Sequence, residues 1–448
     1  MQSHLLKYLE RRIPRYTSYP TAAEFNGDVD AQTYRRWLAA MPTGAPVSIY
    51  LHVPFCTELC LYCGCNTTVV HSYAPVAAYA ELLQSEIAMV GALLDKPRAT
   101  HIHWGGGSPT MMQARDFQQV MATLLAHFAV AADVEIAIEI DPRTMTRDQV
   151  AAMKNAGITR ASLGVQDFEE RVQVAIRRRQ SFEQTARVVD WLREADVVSI
   201  NLDLMYGLPH QTVATVEATV LHTLKLEPDR VALFGYAHVP WLKRHQKLLP
   251  EVELPNSIER FAQSVAAADV LVSGGYQRIG LDHFARGDDL MAQRQREGRL
   301  RRNFQGYTTD ESPTLIGFGT SAIGALPDGY VQNAATTVPY RNTIENGRLA
   351  TVRGRVLTEE DRLRRHIIER LMCDLRADLA AICTAHGRET ADLAAELRQL
   401  DELKRDGLLR RAGDGIEVPE NGRPFVRSVC AVFDAYLAES ETRFSRAS

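Results

Sequence analysis

Short strand-like segments alternate with longer helical segments between residues 47 and 237, and this alternation limits the possible folds more than any other feature. Strands that alternate with helices predict βαβ units and a parallel sheet. The strand-like segments are 47–53, 100–105, 135–141, 160–166, 198–205 and 230–237. Segments 73–94 and 181–195 are examples of the helices predicted between them.

The strand-like segments carry apolar residues on one face and polar residues on the other. In the fifth segment, Ile200, Leu202 and Leu204 share one face. Asn201 and Asp203 lie on the opposite face. A parallel strand covered by helices on both faces should be apolar almost throughout, so this pattern favours helices outside and a polar interior that holds a ligand. We therefore predict an α/β fold, a partial TIM-like (β/α)6 barrel. The alternative, polar residues that face solvent on an edge sheet, would have to apply to five successive strands.

Two further regions flank the barrel. Residues 1–45 are predicted to form an N-terminal arm, residues 46–355 the barrel with a lid region, and residues 356–448 a mostly helical C-terminal domain. Beyond residue 285 the sequence becomes polar and then rich in glycine, which predicts a lid or cap rather than another βα unit. A candidate N-cap at Thr358, helical patterns and a hairpin with Asp-Gly at its turn indicate a winged-helix-like C-terminal domain.

Composition disfavours several classes of protein. The chain has 448 residues, of which 46% are hydrophobic and 24% charged, as is typical of globular proteins. Its net charge of −4 and the lack of a dominant basic stripe give no reason to expect a nucleic-acid partner. The first residues do not resemble a signal peptide, and no apolar run is long enough to span a bilayer. We therefore expect a cytoplasmic protein without a membrane partner.

Four of the seven cysteines lie in the ten-residue segment "CTELCLYCGC", residues 56–65. Because seven is an odd number and the expected compartment is reducing, a disulfide framework is disfavoured. Zinc usually binds two pairs of ligands that are a dozen or more residues apart, whereas these thiols lie on one loop. A loop of this kind is more typical of an iron–sulfur cluster.

The spacing Cys56-x3-Cys60-x2-Cys63, directly after the first predicted strand, resembles the radical S-adenosylmethionine (SAM) enzymes. The resemblance implies that the three cysteines hold a [4Fe-4S] cluster whose fourth iron binds SAM. It also implies that one electron from the reduced cluster cleaves SAM to methionine and a 5′-deoxyadenosyl radical, while the protein excludes water and oxygen. Cys65 is expected not to be a ligand, because a fourth thiolate would block the open iron.

Other candidate site residues lie where predicted strands end. The segment "HWGGGSPT", residues 103–110, follows the second strand. Its glycines allow a ligand to approach closely, and its backbone N–H groups could bind a carboxylate. Glu139, Gln166 and Asp203 are expected on the lumen face at the ends of strands three, four and five. Functional groups of such barrels lie at the C-terminal ends of the strands, and buried carboxylates need partners.

Seven segments together resemble the oxygen-independent coproporphyrinogen III oxidase family over nearly the whole chain: "PRYTSYPTA", "CTELCLYCGCN", "HWGGGSPT", "SLGVQDF", "NLDLMYGLP", "GLDHFAR" and "NFQGYTT". The resemblance implies conversion of two propionates of coproporphyrinogen III to vinyl groups, which gives protoporphyrinogen IX in haem biosynthesis. It implies one [4Fe-4S] cluster, two SAM molecules and an electron donor such as flavodoxin or ferredoxin. We expect the chain to act as a monomer.

The resemblance also implies which residues contact the two SAM molecules. The first SAM would contact Tyr50, Gly106, Glu139 and Ile323. The second would contact Tyr62, Gly107, Ser108, Gln166, Arg178, Asp203 and Ala237. Tyr62 stands where the family usually has phenylalanine, and Ser108 where it usually has threonine. The position of Arg178 depends on the segment "RRRQ", in which a neighbouring arginine could take its place; a solvated helix charge is the alternative.

Relatives that share the barrel but differ in activity remain alternatives. A haem-trafficking chaperone of this barrel family typically lacks the equivalent of Cys65, which is followed here by Asn66, and it lacks the "PRYTSYP" arm. A radical SAM methyltransferase that opens haem would act on haem and transfer a methyl group. A structural or DNA-binding protein built on the C-terminal wing would leave the cysteine motif unexplained.

The four propionates of the expected substrate predict cations near the mouth of the barrel. The candidates are Arg11, Arg12, Arg15, Arg301 and Arg302. An ordinary solvated run of charges is the alternative for these residues.

Overall fold

A computed structural model describes residues 3–437 and residue 444 of the chain. The end of the predicted C-terminal domain, residues 438–448, therefore lies outside the described residues except for residue 444. None of the described helices combines the length and the apolar character that crossing a membrane requires.

Within the described ranges, the strands belong to one large sheet and three small ones. They are β1 (Pro46–Val53), β2 (Phe55–Cys56), β3 (Thr68–Val69), β4 (Arg98–Gly106), β5 (Ala129–Ile140), β6 (Arg160–Gln166), β7 (Ser199–Tyr206), β8 (Arg230–Gly235), β9 (Gln277–Ile279), β10 (His283–Ala285), β11 (Arg301–Asn303), β12 (Gly306–Thr308), β13 (Leu315–Phe318), β14 (Ile323–Leu326), β15 (Gly329–Asn333), β16 (Thr351–Val356), β17 (Arg376–Asp378), β18 (Arg410–Ala412) and β19 (Gly415–Glu417).

The α-helices connect the strands of the large sheet or build the C-terminal region. They are α1 (Leu6–Leu9), α2 (Ala31–Ala39), α3 (Ala74–Gly91), α4 (Ala114–His127), α5 (Arg147–Asn155), α6 (Glu170–Ala175), α7 (Phe182–Glu194), α8 (Val213–Leu224), α9 (Ser257–Ser273), α10 (Leu290–Arg296), α11 (Thr337–Glu345), α12 (Glu359–Asp374), α13 (Leu379–Ala385), α14 (Ala394–Arg405) and α15 (Val426–Cys430).

Twelve strands form the large sheet, in the order β16-β15-β14-β13-β1-β4-β5-β6-β7-β8-β10-β9. The strands β13, β1 and β4 to β8 all run parallel to one another. Antiparallel strands extend both edges, with β14 to β16 on one side and β10 and β9 on the other. The six predicted strands correspond to β1 and β4 to β8, so the predicted α/β fold with its six βα units is confirmed.

Both faces of the parallel strands are buried, but in different surroundings. Ile200, Leu202 and Leu204 belong to the large apolar core that includes residues of α3, α4 and α7. On the opposite, polar face of β4, His101 and His103 are only 7% and 8% exposed. The alternation of the sequence therefore separates an apolar layer under the helices from a polar interior, as predicted.

The prediction that the region beyond residue 285 is only a lid is wrong. Leu315–Phe318 form β13, which pairs in parallel with β1, and β14 to β16 continue the sheet. The glycines of this region were interpreted as loop residues, but here they allow the backbones of neighbouring strands to approach closely. A Cβ atom on Gly317 would lie 2.7 Å from the carbonyl oxygen of Ile323 in the neighbouring strand.

A second apolar core joins the N-terminal arm to the C-terminal region. Tyr8, Leu9 and Ile13 pack there with side chains of α12, α13 and α15. The predicted N-cap of α12 is confirmed, since the side chain of Thr358 accepts a hydrogen bond from the backbone N–H of Asp361 at 3.0 Å. The boundaries 1–45, 46–355 and 356–448 stay predictions.

The C-terminal region combines helices with a small sheet in the order β17-β19-β18. The hairpin of β18 and β19 turns at Gly413 and Asp414, one residue earlier than the predicted Asp-Gly turn. Gly413 has a φ of 58°, a left-handed conformation that glycine adopts without strain. Helices followed by a hairpin agree with the winged-helix-like prediction.

Candidate active site

The cysteine loop follows β1 and is tied down by backbone hydrogen bonds. Cys56 ends the short strand β2, and its carbonyl oxygen accepts a bond of 3.1 Å from the N–H of Val70. The N–H of Leu61 donates to the carbonyl of Ile176 at 2.9 Å, which fixes the loop against the residue that follows α6. Burial, together with the nearby thiols of Cys63 and Cys60, raises the pKa of the Cys56 thiol to about 12. The thiols of Cys60 and Cys63 therefore lie near enough to Cys56 to affect its charge.

The residues of this loop fit a [4Fe-4S] cluster. The donors are three thiols on one loop, which is the ligand chemistry that such clusters use. Guanidinium groups of Arg143 and Arg178 each lie 3.7 Å from the sulfur of Cys60, where they offset the negative charge of bound thiolates. In the described part of the chain, no three His, Cys, Asp or Glu side chains converge as ligands of one metal ion.

Asp141 organises the two arginines beside Cys60. It pairs with Arg143 at 2.6 Å and with Arg178 at 3.3 Å. Arg178 also donates to the carbonyl oxygen of Gly164 at 2.6 Å and is only 6% exposed. Burial lowers the pKa of Arg178, but Tyr62, Asp141 and Cys60 outweigh this effect and raise it, so Arg178 stays charged. The alternative of a solvated helix charge is wrong for Arg178.

The glycine run at the end of β4 packs against the cysteine loop instead of presenting free N–H groups. The N–H of Gly107 donates to the carbonyl of Val53 at 2.8 Å, and that of Ser108 donates to Phe55 at 2.8 Å. The N–H of Gly106 donates to the carboxylate of Glu139 at 3.1 Å. The interpretation that these N–H groups are available to bind a ligand carboxylate is therefore wrong.

Close packing explains why glycine is needed here. A Cβ atom on Gly107 would lie 2.7 Å from the carbonyl oxygen of Phe55, the residue before Cys56. Such a contact is too short, so a larger residue would push the loop away from the end of β4.

Three of the four residues predicted for the first SAM, Tyr50, Gly106 and Glu139, lie together in the polar interior. Glu139 accepts hydrogen bonds from His103 at 3.2 Å and from Gly106, and the ring of Tyr50 stacks on His103 at 5.8 Å. Burial raises the pKa of Glu139, but the bonds from His103 and Gly106 bring it below its usual value, so the carboxyl group is ionised. Ile323 begins β14, two strands away from Tyr50.

Asp203 lies in the interior, but in the middle of β7 rather than at its end. The strand continues to Tyr206, so the predicted position is wrong by three residues. The carboxylate accepts hydrogen bonds from Ser162 at 3.0 Å and from Asn201 at 2.8 Å. Burial and the negative charge of Glu139 raise the pKa of Asp203 to about 6. The structure thus brings Asp203 near the group around Glu139.

The other residues predicted for the second SAM surround the cysteine loop. Gln166 ends β6 with a φ of 70° and is 8% exposed. The amide of Gln246 bridges two predicted residues, since it donates to the carbonyls of Tyr62 at 3.1 Å and Ala237 at 3.3 Å. Ser108 is buried, and its hydroxyl lies within hydrogen-bond distance of a neighbouring threonine.

Sequence reasoning missed the residues that support the loop from outside. The ammonium group of Lys243 donates to the carbonyl of Cys65 at 2.8 Å, and a ring nitrogen of His245 lies 2.8 Å from the carbonyl oxygen of Cys63. The signal was a cluster of cations in "LKRHQKLL" shortly after the last predicted strand. Asp141 and Arg143 were not predicted as site residues either, although "DPR" begins with the last residue of the third predicted strand.

The predicted propionate-binding arginines are not one solvated run. Arg302 is half-buried, donates to the carbonyl oxygen of Tyr16 at 3.1 Å and lies 4.2 Å from the ring centre of Tyr307. Arg15 donates to the carbonyl oxygen of Gly235 at 2.7 Å, at the end of β8. A role in binding substrate stays a prediction for this set.

Comparisons with known proteins agree with this geometry. Residues 50–222 match the model of the radical SAM superfamily, and residues 357–425 match that of the HemN C-terminal domain. An oxygen-independent coproporphyrinogen III oxidase of Bradyrhizobium diazoefficiens is 52% identical over 99% of this chain and 98% of that protein. One of Paracoccus denitrificans is 42% identical over 97% and 96%. The solved structure of coproporphyrinogen III oxidase (HemN) from Escherichia coli, described as a radical SAM enzyme, superposes with a TM-score of 0.92 at 38% identity and covers 97% of this chain and 99% of that one. The chain therefore belongs to the oxygen-independent coproporphyrinogen III oxidase family of radical SAM enzymes.

Proposed function

We propose that this chain converts coproporphyrinogen III to protoporphyrinogen IX without oxygen, by oxidative decarboxylation of two propionate side chains to vinyl groups. One observation carries the proposal. The loop of Cys56, Cys60 and Cys63 borders a polar interior that holds Glu139 and Asp203, in a chain similar over almost its full length to named oxidases.

The side chains around the loop have distinct roles in this proposal. Cys56, Cys60 and Cys63 hold the [4Fe-4S] cluster of the family. When bound, the cluster and SAM supply the one-electron chemistry that removes hydrogen from a propionate side chain. Arg143 and Arg178 balance the negative charge beside Cys60.

We propose two SAM positions that share this interior. Tyr50, Gly106, Glu139 and Ile323 contact the first molecule. Tyr62, Gly107, Ser108, Gln166, Arg178, Asp203 and Ala237 contact the second. Because their N–H groups already bond to backbone carbonyls, Gly107 and Ser108 contribute contact surface and a hydroxyl rather than backbone donors.

His103 and Asn201 prepare the two carboxylates for these contacts. The bond from His103 occupies one oxygen of Glu139, and that from Asn201 occupies one oxygen of Asp203, so each carboxylate is held in one orientation. A carboxylate oxygen accepts more than one hydrogen bond, so both groups keep capacity for donors of a ligand. The buried interior excludes water from the reaction.

The remaining partners belong to the same proposal. The electron donor is a flavodoxin or ferredoxin, and the chain acts as a cytoplasmic monomer without nucleic acid or membrane. The haem chaperone and methyltransferase alternatives are disfavoured, because the most similar proteins compared are named oxidases.

An anaerobic assay tests the reaction. Protein supplied with coproporphyrinogen III, SAM and dithionite should form protoporphyrinogen IX and bind about four irons per chain. The Cys63→Ser variant should lose the iron and the activity. The matched Cys65→Ser variant should keep nearly all of the iron, because Cys65 is not a ligand. No product from the parent protein with a full cluster would contradict the proposal.

The number of SAM molecules needs a separate measurement. Parent protein that is loaded anaerobically should retain about two SAM molecules per chain, and Asp203→Asn about one. This variant should still cleave one SAM reductively but form little vinyl product. Two bound molecules and full activity in Asp203→Asn would remove this residue from the site.

A further inference from the structure

A groove borders the cysteine loop where the segment between Cys56 and Cys60 is exposed. Thr57, Glu58 and Leu59 connect Cys56 to Cys60 and are all exposed. They form one wall of a groove of about 810 Å³. We name it the entry groove and define it by Leu59, Val69, His71, Val174, Arg177 and Arg179.

The entry groove combines an apolar floor with cations. Leu59 is 36% exposed and Val174 45% exposed. Arg177 and Arg179 are exposed as well and add positive charge in a chain whose net charge is −4. The carboxylate in its lining, Glu58, already pairs with Arg143 at 3.3 Å. The groove thus presents positive charge around apolar contacts, which suits an acidic protein partner.

A short path leads from the groove to the proposed cluster ligands. Leu59 directly precedes Cys60 in the chain. Arg143 lines the groove, and its guanidinium lies 3.7 Å from the sulfur of Cys60. A redox group seated in the groove would therefore be separated from this sulfur by about one side chain.

We propose that the entry groove docks an acidic, flavodoxin-type flavoprotein that reduces the cluster. This inference rests on the proposed function, which requires a one-electron donor. One electron leaves the reduced flavin and one enters the oxidised cluster, and no bond forms between the two proteins. The apolar edge of a flavin ring fits the floor at Leu59 and Val174, while acidic residues around it pair with Arg177 and Arg179.

A second basic surface near the loop provides the competing location. Arg244 and Lys247 are exposed there beside Leu242 and Leu248. The contacts from this segment to the loop end on backbone carbonyls of Cys63 and Cys65, and the exposed carboxylate of Glu251 follows in the chain. The entry groove is favoured because its own residue Arg143 reaches a cysteine sulfur.

Charge reversal distinguishes the two surfaces. Binding of a purified flavodoxin to the cluster-loaded protein is measured by calorimetry at low and at high salt. The Arg177→Glu/Arg179→Glu variant should bind about tenfold more weakly than the parent at low salt, and the difference should shrink at high salt. The matched Arg244→Glu/Lys247→Glu variant should change affinity by less than about twofold. Both variants should keep the parent activity when dithionite replaces flavodoxin.

Each other outcome overturns a different statement. Unchanged flavodoxin affinity of the Arg177→Glu/Arg179→Glu variant would contradict docking in the entry groove. A larger loss of affinity in the matched variant would contradict it as well. A ferredoxin that binds the parent more tightly than flavodoxin overturns the choice of a flavoprotein. If flavodoxin does not bind while dithionite supports turnover, docking fails but the proposed function stands. If dithionite fails to support turnover by the fully loaded parent, the proposed function fails.

Discussion

At the scale of single residues, the alternation of apolar and polar residues along the strands predicted which side chains face the interior, but it did not reveal their hydrogen-bond partners. Alternation along the fifth predicted strand placed Asp203 on the polar face. The bond from Ser162 comes from a neighbouring strand, 41 positions away in sequence. The partner of Arg178 could not be predicted for the same reason, because Asp141 lies after β5, far from Arg178 in the sequence. Hydrogen-bond partners that are distant in sequence depend on how the strands pair.

Replacement of Asp203 by asparagine should change how stability depends on pH. Burial and the charge of Glu139 raise the pKa of Asp203 from 3.8 to about 6 in the folded protein. The folded state therefore holds this proton more tightly than the unfolded state, and the parent loses stability as pH rises from about 4 to about 6. Asp203→Asn removes this loss. The free energy of unfolding of the variant minus that of the parent should rise through this range and then level off.

Urea denaturation between pH 4 and pH 8 measures this difference. Asp190→Asn, at an exposed position of α7, is the matched control. A flat profile for Asp203→Asn would contradict the raised pKa.

At the scale of elements, glycine shows both what sequence can reveal and what it cannot. The glycine run at the end of β4 marks a special backbone, but whether it binds a ligand or packs against another segment is not a local property. In the fold, Gly107 meets Phe55 because β4 pairs with β1, from which the cysteine loop continues. For the same reason β13 was not predicted from the sequence: its Gly317 packs against β14, which only the fold shows.

A methyl group at Gly107 should displace the cysteine loop. Because its Cβ would lie 2.7 Å from the carbonyl oxygen of Phe55, Gly107→Ala should lower the iron content to a small fraction of the parent value. Gly64→Ala is the control within the loop, since no atom lies within 4 Å of its added Cβ. Iron analysis after anaerobic reconstitution measures both. Equal iron content in the two variants would show that this packing does not position the loop.

A buried carboxylate connects α3 to the region of β13 and β15, two strands that were not predicted from the sequence. Glu86 is 2% exposed and accepts hydrogen bonds of 2.7 Å each from Gly319, Asn333 and Tyr340. Glu86→Ala would leave these three donors without their acceptor and should cost about 3 kcal/mol or more of unfolding free energy. Glu81→Ala, at an exposed position of the same helix, should change it by less than about 0.5 kcal/mol. Denaturant unfolding compares the two, and similar losses would contradict a role of Glu86 in holding these strands.

At the scale of the whole molecule, the residues that the structure describes form two main apolar cores. One lies between the sheet and its helices, and the other joins the N-terminal arm to the C-terminal region. The hydroxyl of Tyr8 also connects the arm to the C-terminal region, since it donates a hydrogen bond to Asp406 at 2.6 Å. The arm is therefore part of the structure of the C-terminal region, whatever its role toward substrate.

Truncation of an arm residue should loosen the distant C-terminal region and leave the barrel intact. Ile13 is 1% exposed in the second core, so Ile13→Ala should cost about 2–4 kcal/mol. Hydrogen exchange should become faster in α12 and α15 but not in β4 to β7. Ile258→Ala, at a 52% exposed position, is the control and should leave both regions unchanged. Faster exchange in the barrel strands alone would contradict the assignment of the arm to the second core.

The sequence by itself determined the alternating βα units, the polar interior and the three-cysteine loop, because each depends on local periodicity or on spacing within a few residues. The capped start of α12 at Thr358 is local for the same reason. Only the tertiary structure decided that β13 joins β1, that Arg143 and Arg178 flank Cys60, and that the glycine N–H groups are occupied. These contacts join residues far apart in the chain, and they exist only once strand order and register are fixed.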